Sequence, residues 1–245
     1  MPEQEFTIHS MTAPLGAEVQ GLDISQPLDD LTVEQLTEAW IEHKVLFFRD
    51  QELTPDQHKQ FAHYFGEFQA PGFVPTLPDH PEVKRQEQPN KTNLSANIIW
   101  HTDDIFNVIP SKASVLYALD VPERGGDTLW CDLEAAFDAL SDTMKNLLSG
   151  LKARHVPLTD MRGMIKAFGV DGFANSWKSI TPSEHPILKT HPVTGRTSLY
   201  VNEQNTFEIV GMTRKESDAL LAFLFDHAQQ PDFHCRFSWT KSILN

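Results

Sequence analysis

The sequence predicts a mainly β protein with flanking helices, arranged as a sandwich or barrel. Strand-like segments follow one another without regular β-α-β alternation, and no Gly-x-Gly-x-x-Gly fingerprint is present. Both observations argue against a Rossmann sheet. In addition, every second residue from Phe233 to Trp239 is apolar, which is the period of a half-buried antiparallel strand.

Three segments carry a helix start signal, and they begin at Thr32, Thr54 and Thr213. In each of them the Thr is followed three residues later by Gln or Glu, which is the capping-box pattern, and then by apolar residues at helical spacing. Weaker patterns predict further helices at 132–140 and 141–148.

Strand candidates lie between and after these helices. They are the segments 45–48, 97–103, 114–121, 187–191, 198–202 and 233–239. Two long segments read as irregular: 70–96, which contains five Pro, and 157–177, which contains three Gly. Loops of this length tend to be functional, so we expect both to be active-site loops.

Composition limits the classes of partner. The 245 residues, 40% of them hydrophobic, are enough for one core, so we expect a single domain over 1–245. The net charge of -14 disfavours nucleic acid and anionic lipid as partners. No apolar stretch is long enough to span a membrane, and no secretory signal is visible. We expect a cytoplasmic protein without nucleic-acid or membrane partners, in which Cys131 and Cys235 are reduced, packed thiols. A homo-oligomer stays open.

His101 and Asp103 are candidate metal ligands in the segment Trp100-His101-Thr102-Asp103. The segment reads as extended, so two residues of separation place both side chains on one face. An imidazole and a carboxylate, joined by a His from a distant strand, form the facial triad of non-haem iron(II) oxygenases. On spacing alone, such a pair is more often a hydrogen-bonded strand end than a metal site.

Three segments together resemble the taurine dioxygenase (TauD/TfdA) family of 2-oxoglutarate oxygenases, in order and in spacing. They are Trp100 to Asp103, Gly125 to Trp130, and Thr190 to Arg196 running on to Asn202. The likeness continues through the Glu216 helix and the Arg236 to Trp239 strand, and so covers almost the whole chain. It implies a double-stranded β-helix core, a jelly roll of cupin-like form. It also implies an Fe(II)- and 2-oxoglutarate-dependent dioxygenase that hydroxylates a small anionic organic substrate and releases succinate and CO2.

The resemblance also implies roles for single residues. His101 and Asp103 match iron ligands, Thr128 matches the threonine that hydrogen-bonds the distal carboxylate of 2-oxoglutarate, and Asn97 matches a substrate-pocket asparagine. Taken as bare residues, Thr128 and Asn97 fit ordinary turn positions as well.

The substrate pocket departs from the family pattern in two places. Gln69-Ala70-Pro71 stands where taurine dioxygenase has a histidine, and Glu203-Gln204-Asn205 stands where it has aromatic residues. Taurine is therefore disfavoured, and sulfonates, sulfate esters, aryloxyacetates or similar acids remain as substrate classes.

The family's third iron ligand and its 2-oxoglutarate-binding Arg follow a Trp-Asp-Asn-Arg segment that is absent from these 245 residues. We expect both residues, and the last core strands, to lie beyond Asn245. The alternatives are a catalytically incomplete remnant or binding protein of the same fold, and a jelly-roll metal hydrolase, which leaves Gly125 to Trp130 without a role. His191, His227 and His234 are expected to be surface or supporting residues rather than the third ligand.

Overall fold

The structure, a computed structural model, describes residues 5–69, 76–85, 99–157 and 182–240 and the backbone of 243–244. The helices are α1 (Asp30–His43), α2 (Pro55–His63), α3 (Leu133–Asp138), α4 (Asp142–Leu148) and α5 (Arg214–Ala228). The strands are β1 (Thr7–Ser10), β2 (Ala17–Gln20), β3 (Leu46–Phe48), β4 (Thr76–Leu77), β5 (His80–Lys84), β6 (Tyr117–Ala118), β7 (Thr128–Cys131), β8 (Lys152–His155), β9 (Ser183–Pro186), β10 (Leu188–Thr190), β11 (Thr197–Leu199), β12 (Thr206–Ile209), β13 (His234–Phe237) and β14 (Ile243–Leu244). The prediction of a mainly β protein is confirmed in part, because the fold mixes sheet and helix in comparable amounts.

The chain divides into two compact units. Unit 1 comprises residues 1–87, 112–132 and 231–245, and unit 2 comprises 88–111 and 133–230. Among the described residues, no helix is long and apolar enough to cross a membrane.

Unit 1 is built on a five-stranded sheet with the order β1-β2-β3-β14-β6, in which β2 and β3 run parallel and the other pairs antiparallel. Helices α1 and α2 bury Leu36 and Phe61 in the same cluster as Val19 and Phe48 of the sheet. Burial of such side chains contributes roughly 1.5–3 kcal/mol each, so the apolar faces of the helices hold them to the sheet.

Local capping explains where the helices begin. Thr54 and Thr213 each form both hydrogen bonds of a capping box, so the predicted starts of α2 and α5 are confirmed. The start predicted for α1 is wrong. Asp29 is the cap, and its Oδ1 accepts from the Thr32 backbone N–H at 2.8 Å. The Thr32 side chain is buried against the core and is already inside the helix.

A second ladder in unit 1 pairs β7 with β13, with Thr128 opposite Phe237. The predicted alternation is confirmed, since Cys235 and Phe237 are buried while Arg236 is exposed. The Phe237 ring stacks on Phe47 with centroids 3.8 Å apart. Both cysteines are free thiols, as expected, and burial raises the pKa of Cys131 to about 12.

Unit 2 contains a three-stranded antiparallel sheet, β12-β8-β9, and the hairpin β10-β11. Helix α5 buries Leu221 and Leu224 in a core shared with Ile187 and Ile209. On the polar side, Arg154 of the central strand β8 forms ion pairs with a glutamate on each neighbouring strand.

Several strand predictions differ from the structure. Residues 99–103, the described part of predicted strand 97–103, are irregular, and predicted strand 114–121 is reduced to β6. Within 70–96, predicted to be irregular, residues 76–84 form the antiparallel pair β4-β5. Residues 70–75 and 86–96 of that segment, and 158–177 of the second predicted loop, lie outside the described residues.

Candidate active site

His101 and Asp103 lie in unit 2, on an irregular segment that turns immediately afterwards. Asp104 has φ +53°, a left-handed conformation that Asp tolerates better than most residues, so the chain cannot continue there as a strand. The turn is anchored by Ile105, whose side chain is fully buried and whose carbonyl accepts from Ser183 Oγ at 3.1 Å. Residues 99–103 are themselves irregular, so the predicted strand at 97–103 is wrong in its described part, although the two side chains still converge.

The convergence is direct. His101 Nε2 lies 3.4 Å from Asp103 Oδ1, and the two side chains are 32% and 53% exposed. At the other side of the ring, Nδ1 lies 2.9 Å from the Ile99 carbonyl oxygen. A carbonyl only accepts, so Nδ1 carries a proton; Nε2 donates to Asp103 while the ring is charged and presents a lone pair to a metal once it is deprotonated. This is the second-sphere arrangement that orients metal-binding histidines.

The electrostatics of the pair favour a cation. The hydrogen bond with Asp103 raises the pKa of His101 above its ordinary value, the Ile99 carbonyl acts in the same direction, and burial opposes both. A metal ion bound at Nε2 replaces that proton and keeps the favourable contact with the carboxylate.

The donor set fits a divalent transition metal. Bonds of roughly 2.0–2.2 Å to nitrogen and oxygen allow two donors 3.4 Å apart to share one ion. Two protein ligands leave the set incomplete. Within the part of the chain that the structure describes, no group of three His, Cys, Asp or Glu side chains is placed to hold a metal.

The three other histidines considered have structural roles where their contacts are seen. His227 is buried, with Nε2 2.7 Å from the Ala136 carbonyl and Nδ1 3.2 Å from Gln230. His191 Nδ1 accepts from the backbone N–H groups of Val193 and Thr194 in a turn. Among the described residues, none of these three histidines, His191, His227 and His234, belongs to a metal-binding group.

Thr128 lies in unit 1, as the first residue of β7, directly after a glycine turn. Gly125 and Gly126 have φ +77° and +76°, and a Cβ on Gly126 would lie 2.9 Å from Pro122 Cγ. The turn therefore requires glycine at both positions, and most strictly at Gly126. Thr128 Oγ1 accepts from Trp239 Nε1 at 2.7 Å.

Asp127, the residue before Thr128, is held by side-chain hydrogen bonds. Asp127 accepts from Arg236 Nε and from Ser238 Oγ, both at 2.7 Å. The hydrogen bonds from Ser238 and Arg236 lower the pKa of the Asp127 carboxyl, which keeps it charged.

The structure thus brings His101 and Asp103 together in unit 2 and places Thr128 in unit 1, while Asn97 lies outside the described residues. Sequence reasoning missed Trp239 as the partner of Thr128. Its place on the inward face of the last strand was the only signal available. It also missed His155 and His185, two buried histidines on adjacent strands whose ring centroids are 5.4 Å apart.

Comparison with known proteins gives one consistent result. Residues 7–242 match the family described as taurine catabolism dioxygenase TauD, TfdA family. An alkylsulfatase of Acinetobacter baylyi is 32% identical over 97% of this chain and 75% of its own length. An alpha-ketoglutarate-dependent 2,4-dichlorophenoxyacetate dioxygenase of Cupriavidus pinatubonensis is 30% identical over 93% of this chain and 84% of its own length.

Among solved structures, a taurine dioxygenase from Burkholderia xenovorans matches with a TM-score of 0.80 and 33% identity, covering 98% of this chain and 78% of that chain. The family match extends through both compact units and includes the segments that carry His101, Asp103 and Thr128. The chain belongs to the TauD/TfdA family of dioxygenases.

Proposed function

We propose that this protein is an Fe(II)- and 2-oxoglutarate-dependent dioxygenase that hydroxylates a small anionic organic substrate. The observation that carries the proposal is the His101–Asp103 pair, with two donor atoms 3.4 Å apart and the histidine tautomer that metal binding requires. In the overall reaction one atom of dioxygen enters a substrate C–H bond as hydroxyl. The other enters 2-oxoglutarate, which leaves as succinate and CO2.

Each residue has a defined task in this proposal. His101 and Asp103 bind the iron, which, together with 2-oxoglutarate, supplies dioxygen activation when bound. Thr128 donates a hydrogen bond to the distal carboxylate of 2-oxoglutarate, and Asn97 contacts the substrate. The Ile99 carbonyl fixes the His101 ring so that Nε2 faces the carboxylate of Asp103.

We propose a sulfonate, sulfate ester, aryloxyacetate or similar acid as the substrate class. The names of the relatives support this range, since they include an alkylsulfatase and a dichlorophenoxyacetate dioxygenase. Taurine is disfavoured because Glu203-Gln204-Asn205 replaces the expected aromatic residues. The Asn205 side chain is buried and donates to the Val156 carbonyl at 3.2 Å, so a polar amide occupies this position.

We further propose that residues 1–245 are a single TauD/TfdA-like domain with a double-stranded β-helix core, and that 70–96 and 157–177 border the active site. The family match over 7–242 supports the single domain. A cytoplasmic location fits the two free thiols, which persist in a reducing compartment.

The test is succinate formation by the full-length protein with Fe(II), 2-oxoglutarate and a panel of alkyl sulfates, sulfonates and aryloxyacetates. Succinate release should depend on the metal and rise with a matching substrate. His101→Ala should lower it by more than about 100-fold, since loss of an outer-sphere partner alone costs 10–100-fold. His63→Ala, an exposed histidine at the end of α2, is the matched control. Unchanged turnover in His101→Ala would exclude the metal assignment.

A second candidate is a catalytically incomplete remnant or binding protein of the same fold. The observation that favours it is the lack of a three-ligand metal group among the described residues. Calorimetry separates the two functions. Tight binding of Fe(II) and 2-oxoglutarate by the full-length protein, followed by turnover, contradicts a remnant, whereas weak metal binding without turnover supports one.

A further inference from the structure

The contact between Trp239 and Thr128 links the segment that follows β13 to the candidate co-substrate residue. Trp239 Nε1 donates to Thr128 Oγ1 at 2.7 Å. Trp239 lies two residues after Phe237, which is the β13 residue paired with Thr128. Its side chain therefore continues the inward face of β13 and reaches the start of β7.

The direction of this hydrogen bond is fixed by chemistry. An indole N–H donates and never accepts, so Thr128 Oγ1 must be the acceptor. The hydroxyl then keeps its own proton and one further lone pair. Because a carboxylate only accepts, that proton is the group Thr128 has to offer it, and accepting from Trp239 strengthens the donation.

The indole itself is held by its neighbours. The Trp239 ring meets Phe237 edge-on, with centroids 5.5 Å apart, and packs against Trp130 at 6.2 Å. On either side of Phe237, Arg236 and Ser238 hold Asp127, the residue before Thr128. A donor fixed in this way loses little conformational entropy when a ligand binds.

We propose that Trp239 is a positioning residue for 2-oxoglutarate: its indole N–H orients the Thr128 hydroxyl so that this hydroxyl donates to the distal carboxylate. The inference rests on the proposed function, in which Thr128 contacts 2-oxoglutarate. It adds a residue to which neither the motif nor the family resemblance gave a role.

A double-mutant cycle tests the inference in the full-length protein. Trp239→Phe keeps an aromatic ring and removes the N–H, and Thr128→Val removes the hydroxyl at nearly constant shape. Trp40→Phe, which makes the same change at an indole of α1 that packs on Phe65, is the matched control. Anaerobic calorimetry with Fe(II) measures 2-oxoglutarate affinity, and steady-state kinetics gives KM and kcat separately.

Trp239→Phe should weaken 2-oxoglutarate binding and raise its KM by roughly 3- to 10-fold, the range expected for one hydrogen bond, with a smaller change in kcat. The double variant should bind 2-oxoglutarate as Thr128→Val does, because Trp239 acts through the hydroxyl. Trp40→Phe should leave the affinity within about twofold of the unmodified protein.

A second measurement observes the Trp239 indole N–H directly, in protein that retains Trp239. The protein has five Trp, so its ¹⁵N–¹H indole resonances are few, and the Trp239 resonance can be assigned by its loss in Trp239→Phe. Thr128→Val should shift this resonance in the absence of ligand, and 2-oxoglutarate should shift it in the unmodified protein.

Three results would overturn the inference. They are unchanged affinity in Trp239→Phe, an equal additional loss when it is combined with Thr128→Val, and an indole resonance that does not respond to Thr128→Val. If the unmodified protein binds no 2-oxoglutarate, the proposed function itself fails and the inference fails with it. If the unmodified protein binds 2-oxoglutarate normally and any of the three results is found, the inference is wrong and the proposed function is unaffected.

Discussion

The glycine turn before Thr128 makes a quantitative prediction, because its two glycines differ in one respect only. Gly125 and Gly126 have nearly the same φ, +77° and +76°. A Cβ on Gly125 meets nothing within 4 Å, whereas one on Gly126 lies 2.9 Å from Pro122 Cγ and 3.1 Å from its Cδ. Gly125→Ala and Gly126→Ala therefore share the backbone cost and differ in the steric clash.

The magnitude follows from these terms. A left-handed Ala costs about 1–2 kcal/mol, and restriction of the unfolded chain returns roughly 0.4–1 kcal/mol. Gly125→Ala should thus lower the free energy of unfolding by about 1 kcal/mol. The rigid Pro122 ring adds roughly 1–3 kcal/mol of overpacking, so Gly126→Ala should cost about 2–4 kcal/mol.

Urea unfolding of both variants measures the difference in their free energies of unfolding. The KM for 2-oxoglutarate reports whether the position of Thr128 has changed. Gly126→Ala should raise this KM more than Gly125→Ala does, since only the clash displaces the turn. Equal destabilisation by the two substitutions would refute the steric argument.

Further predictions concern protonation, packing and capping. Metal binding should strengthen as pH rises through the pKa of His101, which lies above its ordinary value, because the ion replaces the Nε2 proton; calorimetry at several pH values measures this. Burial lowers the pKa of His155 to about 4, so as the pH falls the unfolded state takes up the proton before the folded state does. The free energy of unfolding should therefore fall by up to about 3 kcal/mol between pH 6.5 and 4. His155→Leu should make the free energy of unfolding less dependent on pH in this range. Phe47→Ala, which removes the ring stacked on Phe237, should cost about 3–5 kcal/mol in denaturant unfolding. Thr213→Ala should cost about 1 kcal/mol by the same measurement, since it removes the cap of α5.

Local signals in the sequence predicted the helices well, because capping depends on residues three apart. Thr54 and Thr213 cap their helices as expected. The start of α1 was misplaced because Asp29 competes with Thr32 and the tertiary core buries Thr32. Tertiary burial of Thr32 thus overrides the capping-box pattern, and the helix begins three residues earlier.

Short strands are harder to predict from the sequence, because their stability comes from partners far away in the sequence. Strand β8 has the polar sequence Lys-Ala-Arg-His, and it is stabilised by ion pairs of Arg154 with Glu184 and Glu208 on both neighbouring strands. No pattern within four residues reveals such pairs. Residues 99–103, the described part of the predicted strand 97–103, belong to no strand although their sequence reads as extended.

The candidate site was predictable as a set of residue identities and not as a geometry. Spacing and family resemblance singled out His101, Asp103 and Thr128. The Ile99 carbonyl that fixes the His101 tautomer and the Trp239 indole that contacts Thr128 depend on backbone and side-chain positions. The roles proposed for Asn97 and for the segments 70–96 and 157–177 stay predictions.

The central claim is that His101 and Asp103 bind the iron, and anaerobic Fe(II) calorimetry on the full-length protein with 2-oxoglutarate present tests it most directly. The unmodified protein and His63→Ala should bind one Fe(II) per chain with the same affinity, while His101→Ala and Asp103→Ala should each weaken binding by more than about 100-fold. Equal Fe(II) affinity in all four proteins would contradict the account.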